Sequence, residues 1–160
     1  MRVPAIDARF ESIVGMLGAH SDCLLLGHLV WSTSERRPVF VAADDSWLAD
    51  FVMVKARALS CDLLAVGNWS DHVHAIVRLS PSLALSVLAQ HLKGATSHAW
   101  NLRGQGPTLR WQTGYWARSV DQSSLAHRVG YVLEQRARHE QQRLDQDAEI
   151  NEPSTCVVAR

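Results

Sequence analysis

The chain has 160 residues, 47% of them hydrophobic, with a formal net charge of zero and a mean hydropathy of -0.08. That length suits one domain with its own core, and no run of about 18 apolar residues offers a membrane span. Cys23, Cys61 and Cys156 are scattered without metal spacing, which excludes a disulfide scaffold and reads as thiols of a reducing compartment.

Along the chain, residues 1–22 carry Asp7 and Glu11 where a signal peptide would be apolar. They predict no export, hence a cytoplasmic protein, and are set apart as an N-terminal extension. "CLLLGHLVWST" (residues 23–33) predicts a strand, followed by the polar turn "SERRP". Asp44 or Asp45 can cap a helix running to Leu59, with Leu48, Val52, Ala56 and Leu59 at helical spacing. "CDLLAVGNW" and "HVHAIVRL" predict two strands joined by a tight Asn-Trp-Ser-Asp connection. Ser80 and Pro81 start a second helix, with Leu85, Leu88, Leu92, Ala95 and Ala99 on one stripe. "LRWQTGYWARSV" predicts one or two short strands around Gly114, and Ser123 or Ser124 opens a third helix to Leu144. Residues 146–160 read as a flexible tail, leaving residues 23–145 as the functional domain.

This order predicts an α+β fold, a ferredoxin-like β-α-β-β-α-β sheet with helices on one face plus a C-terminal helix. The hairpin strands would then be central or nearly so, with their second face open for a site. Charge adds a hint. Residues 90–143 carry eight basic against three acidic side chains, while residues 144–160 carry one basic against four acidic. A basic half is compatible with a polyanion partner, although a solvated helix surface gives the same count.

Side chains alternate along a strand, so His72 and His74 share a face with Cα atoms roughly 7 Å apart. Val73, Ala75, Val77 and Leu79 take the opposite face. Two imidazoles on a helix-free face could hold one divalent cation, and an ordinary amphipathic strand carries the same short pattern. In the third helix, Leu125, Val129, Val132 and Leu133 define an apolar stripe. Tyr131 and Gln135 stand one turn apart and off that stripe, flanked by Arg128 and Arg138. A phenol among arginines suits a nucleophile for a phosphodiester, and so weak a nucleophile calls for a metal that polarises the phosphate. Gln135 could add a neutral third ligand to the histidines.

Five blocks, "HLVWSTSERRPVF", "DHVHAIV", "LAQHLKGATSHAWN", "WQTGYWARSV" and "VGYVLEQRARH", occur in that order from His28 to Gln142. Together they resemble the single-tyrosine HUH transposases of bacterial insertion sequences that move as single-stranded DNA, including the REP-associated branch. The resemblance implies that His72, His74 and Gln135 hold Mg²⁺ or Mn²⁺. Tyr131 would be the catalytic nucleophile that forms a 5′-phosphotyrosine link and frees a 3′-hydroxyl. The expected partner is single-stranded DNA with hairpins near element ends, with no nucleotide cofactor. A homodimer in which the tyrosine helix completes the partner's site is one arrangement in such proteins; monomers are the other.

Around this centre, Arg36, Arg37, Lys93, Arg118 and Arg128 are candidate phosphate contacts. Trp69, Trp111, Trp116 and Tyr115 could stack bases, with core or dimer packing as the competing role. His28, His91 and His98 read as structural, and His139, one turn past Gln135, as a group behind the ligands. Two lysines in the whole chain are few for a DNA-cutting enzyme. Two other functions compete with strand transfer: a non-catalytic DNA-hairpin-binding protein of the same fold, and a metal-dependent phosphodiesterase using activated water.

Overall fold

The computed structural model describes residues 23–144; the extension expected over residues 1–22 and the tail over residues 146–160 lie outside the described residues. Four strands, β1 (Leu26–Ser32), β2 (Asp62–Asn68), β3 (His72–Arg78) and β4 (Trp116–Ser119), form one antiparallel sheet in the order β2-β3-β1-β4. Helix α1 (Asp45–Arg57) joins β1 to β2, and α2 (Leu85–Arg103) joins β3 to β4. This is the expected β-α-β-β-α-β order. After β4 come α3 (Leu125–Leu133) and α4 (Gln135–Glu140). No described helix is long and apolar enough to cross a membrane.

The pleat sorts β1 and β3 into two faces. Leu29 and Trp31 of β1 and Val73, Ala75 and Val77 of β3 point to one side. There they pack on Leu48, Val52 and Ala56 of α1, spaced four apart, and on Leu88, Ala89 and Leu92 of α2. Each such buried aliphatic side chain contributes about 1.5–3 kcal/mol by leaving water, and this layer supplies most of the fold's stability. Gly104 ends α2 in the left-handed conformation, φ 61, which relieves the last turn at no Cβ cost. The second face carries a smaller cluster in which Leu26, Ala65 and Ile76 meet Leu125, Tyr131 and Val132.

Three expectations are corrected. The α2 helix begins at Leu85 and not at Ser80-Pro81. Leu83 N–H donates to the Ser80 carbonyl, and the Ser80 and Ser82 hydroxyls bond each other, so a turn wins over the helix there. The single third helix is broken: Glu134 sits at φ -95, ψ 9 between α3 and α4. Ahead of α3, residues Gln122–Ser124 form a 3-10 turn whose first N–H groups are met by Asp121, which accepts from Ser123 N–H. Finally, β2 lies at a sheet edge while β3 is central, and the second face of the hairpin is covered by α3 and α4.

Candidate functional site

His72 and His74 lie on the second face, as the alternation requires, with ring centroids 5.0 Å apart. They are 1% and 0% exposed. Burying an imidazole costs free energy unless its nitrogens are partnered, and both Nδ1 atoms are. Asp71 Oδ1 lies 2.6 Å from His72 Nδ1, and the other carboxylate oxygen of Asp71 takes Arg36 Nε at 3.0 Å. The Asp71 backbone is itself pinned, because its carbonyl accepts from both the N–H and the hydroxyl of Thr33. Burial alone raises the Asp71 carboxyl. The His72 hydrogen bond and the charges of His72, Arg36 and His139 outweigh it and hold the group below the ordinary aspartate value.

The partner of His74 comes from the neighbouring strand. In the β1–β3 register Val30 faces His74 and His28 faces Ile76, so His28 stands diagonal to His74 on the same face. His28 Nε2 lies 3.0 Å from His74 Nδ1. Trp116 of β4, opposite Val30, meets the His28 ring edge-on at 5.3 Å. The Arg118 guanidinium lies 5.1 Å from the Trp116 ring.

The other half of the site arrives on α3 and α4, and Gly67 lets it in. A Cβ at Gly67 would fall 1.8 Å from the Val132 carbonyl oxygen and 3.3 Å from Gln135 Cβ. Gly67 faces His74 in the β2–β3 register, so Gln135 is seated over the strand position beside His74. One turn earlier, the Tyr131 ring meets that of His74 at 6.1 Å. Tyr131 and Gln135 are each 1% exposed. The expected apolar stripe is therefore turned: Leu125, Tyr131 and Val132 are the buried residues of α3, whereas Leu133 is 63% exposed. The sheet face that α3 covers bears histidines, so its buried side is chosen by close approach to Gly67 and not by aliphatic content alone.

Arg138 leans on Tyr131, its guanidinium 4.8 Å from the ring centroid, while it pairs with Glu134 at 2.8 Å. His139 reaches the centre itself, Nε2 3.2 Å from His72 Nε2. Its ring lies flat on Trp69, 4.9 Å away at 5°. Arg136 fixes α4 from outside by donating from Nε and a terminal nitrogen to Asp45 of α1, at 2.5 and 2.6 Å. Asp45 also accepts from Asn68 at 2.9 Å. The hydrogen bond to Asp45 raises the Arg136 pKa against the opposing effect of burial.

The fold thus brings His72, His74, Tyr131 and Gln135 of one chain together. The candidate phosphate contacts are dispersed. Arg36 is tied to Asp71; Arg37 pairs with Glu35 and is 74% exposed; Arg118 covers Trp116; Arg128 is half-buried on α3. Lys93 is engaged elsewhere: its ammonium donates to the carbonyls of Gln112 and Gly114 at 2.6 and 2.5 Å, and burial lowers its pKa. Trp111 packs against the main core and donates its indole N–H to the Lys93 carbonyl, a structural role. Sequence reasoning missed Asp71, His28 and Gly67. The aspartate beside His-X-His was a readable sign, whereas nothing local marks His28 or Gly67.

Among the described residues no group of three or more His, Cys, Asp or Glu side chains stands ready for a metal. A set of two histidines and one glutamine is of another composition. Its donor chemistry fits a divalent cation: two imidazole nitrogens and the Gln135 carbonyl oxygen are neutral donors of the kind such an ion takes, and His139 Nε2 stands beside His72 Nε2 at 3.2 Å.

Comparison with known proteins agrees with the family and the fold. The family model described as "Transposase IS200 like" matches residues 23–135. No curated protein matches the chain. Among solved structures, a candidate transposase from Deinococcus radiodurans R1 is similar at 22% identity, covering 75% of this chain and 97% of its own, with a TM-score of 0.59. A REP-associated tyrosine transposase bound to a REP hairpin is similar at 16% identity, covering 77% of this chain and 74% of its own, with a TM-score of 0.56. At such identities the two structures speak for the fold.

Proposed function

The chain belongs to the IS200-like transposase family, and from that premise we propose that it cleaves and rejoins single-stranded DNA through Tyr131. The observation that carries this reading is the meeting, in one chain, of a buried phenol with two buried imidazoles and a buried carboxamide drawn from β3, α3 and α4. In the reaction, Tyr131 Oη bonds to the scissile phosphorus as the P–O3′ bond breaks. The 3′-oxygen takes up a proton, and the 5′ strand end stays on the protein as a phosphotyrosine. Attack by a 3′-hydroxyl on that link reverses the step and joins DNA, with the phosphodiester energy conserved in the covalent bond. His72, His74 and Gln135 would hold Mg²⁺ or Mn²⁺, which when bound supplies Lewis-acid polarisation of the phosphate. All three are neutral donors, so a cation held by them keeps its charge for an anionic phosphate.

Around the reacting atoms, Arg138 orients the Tyr131 ring and places positive charge beside the phenol oxygen's path. The surrounding aliphatic side chains exclude bulk water, which disfavours hydrolysis of the phosphotyrosine. The geometry supports a site completed within one chain, since Tyr131 and His74 meet without a partner. Hairpin DNA is the proposed substrate class, by analogy with the REP hairpin on the similar transposase.

The test uses single-stranded oligonucleotides tiling the flanks of the gene, incubated with protein and Mn²⁺ and run on a denaturing gel. A metal-dependent, slower-migrating adduct is expected with wild type and absent from Tyr131→Phe and His72→Ala. Binding with no adduct would make the protein a non-catalytic hairpin binder. Cleavage that survives Tyr131→Phe would point to activated water.

A further inference from the structure

We infer that His28 is a positioning residue for His74: as a hydrogen-bond acceptor it sets the His74 tautomer, the service that Asp71 performs for His72. This rests on the reading that His72 and His74 hold the cation. Three observations carry it. Each of the two histidines has its Nδ1 within hydrogen-bond distance of one buried or half-buried side chain, His28 at 3.0 Å and Asp71 at 2.6 Å. His28 is 2% exposed between Leu26 and Val30 on one face of β1, and its register puts it diagonal to His74. Its own ring is wedged by Trp116, edge-on at 5.3 Å.

The chemistry of an imidazole pair then fixes the direction. A neutral imidazole carries one N–H. If His28 Nε2–H donated to His74 Nδ1, the His74 proton would sit on Nε2 and that nitrogen could not bind a metal. A cation on His74 Nε2 therefore requires that His74 Nδ1–H donate and His28 Nε2 accept, with the His28 proton on Nδ1. Asp71 meets the same requirement for His72 with a carboxylate whose other oxygen takes Arg36 Nε at 3.0 Å, so it stands toward His72 as an acceptor. The two histidines are thus oriented by partners of unlike kind, one an obligate acceptor and one a tautomer that has to be chosen. Trp116 and the β4 strand extend the support for the centre to the sheet's far edge.

Two measurements test this. A long-range proton–nitrogen spectrum of wild-type protein labelled with ¹⁵N-histidine should show His74 and His72 as Nδ1–H tautomers; an Nε2–H His74 would overturn the inference. Binding of Mn²⁺ alone, followed by electron paramagnetic resonance, should weaken by about 10–100-fold in His28→Phe, which keeps the ring shape and loses the acceptor. His28→Gln, which restores an acceptor oxygen at that reach, should return affinity to within a few-fold of wild type. Unchanged affinity in His28→Phe, or equal loss in Phe and Gln variants that melt like wild type, would overturn it. His74→Ala separates the two readings. If it too binds Mn²⁺ like wild type, the metal assignment itself fails; if it alone loses the ion, only the role of His28 does.

Discussion

On one face of the sheet, Leu29, Trp31, Val73, Ala75 and Val77 meet two long helices through aliphatic and aromatic contact. On the other, His28, His72 and His74, one residue out of step on the same two strands, meet a helix pair broken at Glu134. The first face is held by burial, which has little directional preference, and it tolerates any side chain of suitable size and shape. The second joins a smaller apolar cluster, Leu26, Ala65 and Ile76 against Leu125 and Val132, to paired nitrogens, a carboxylate and stacked rings that each work only in one orientation. The strand that lends its stability to one face can therefore hold a costly polar cluster on the other. Substitutions should divide accordingly: those on the apolar face cost stability, and those on the polar face cost geometry.

The largest effect is expected at the apolar face. Leu92→Ala should lower the unfolding free energy by about 2–5 kcal/mol in urea denaturation, with the rate of adduct formation per folded molecule unchanged. A rate that fell with stability would mean that the two faces are mechanically coupled. Gly67→Ala is the converse. Its Cβ would collide with the Val132 carbonyl, so α3 and α4 have to lift from the sheet. A displacement near 1 Å costs about 10²-fold in rate, and adduct formation should fall by that order while the far-ultraviolet dichroism of α1 and α2 persists. Equal rates in Gly67→Ala and wild type would show that the helix pair does not need its close seat.

Next in size is the clamp that joins the two layers around the β2 edge. Asp45 of α1 accepts from Arg136 of α4 and from Asn68 of β2. Arg136→Met keeps the aliphatic stem and removes the fork. We expect a stability loss of about 1 kcal/mol for this half-exposed pair and a several-fold lower adduct yield, because α4 begins with Gln135. The stability difference between wild type and Arg136→Met should shrink in high salt.

How far these faces were legible follows from the range of the interactions. Alternation over residues 72–79 separates the histidines from the packing valines with no knowledge of the fold, and the element order leads to the sheet. Tyr131 and Gln135 are visible as a pair one turn apart, but their burial is not. A helical wheel weights Leu133 above Tyr131, whereas the surface that α3 meets bears His74 and a glycine that admits backbone. The break at Glu134 also shifts the phase of α4, which brings His139 to His72 at 3.2 Å. His28 was read as structural because its partner lies 46 residues on, and only the β1–β3 register connects them.

The smallest expected effects concern arginines and lysines whose candidacy rested on charge alone, and here the structure orders them. Arg37 pairs with Glu35 two residues away and is largely exposed; Arg37→Ala should change stability by less than about 0.5 kcal/mol. If Arg37 contacts a DNA phosphate, log affinity against log salt should become shallower by about 0.7 for single-stranded DNA. The Lys93 ammonium spends its hydrogens on two loop carbonyls, so Lys93→Met should cost stability of about 1 kcal/mol and leave the salt slope where it was. The sign of the Lys93 contribution can be checked separately. Burial lowers its folded pKa, so the unfolded chain holds the proton more tightly. The stability of wild type relative to Lys93→Met should therefore rise as pH climbs from that lowered value towards the ordinary lysine range. A salt slope that moved with Lys93 and stayed fixed with Arg37 would place the DNA backbone against the loop after α2, which bonds back to the end of β1 and its turn through Gln112 N–H to the Ser32 carbonyl and Ser34 N–H to the Arg110 carbonyl.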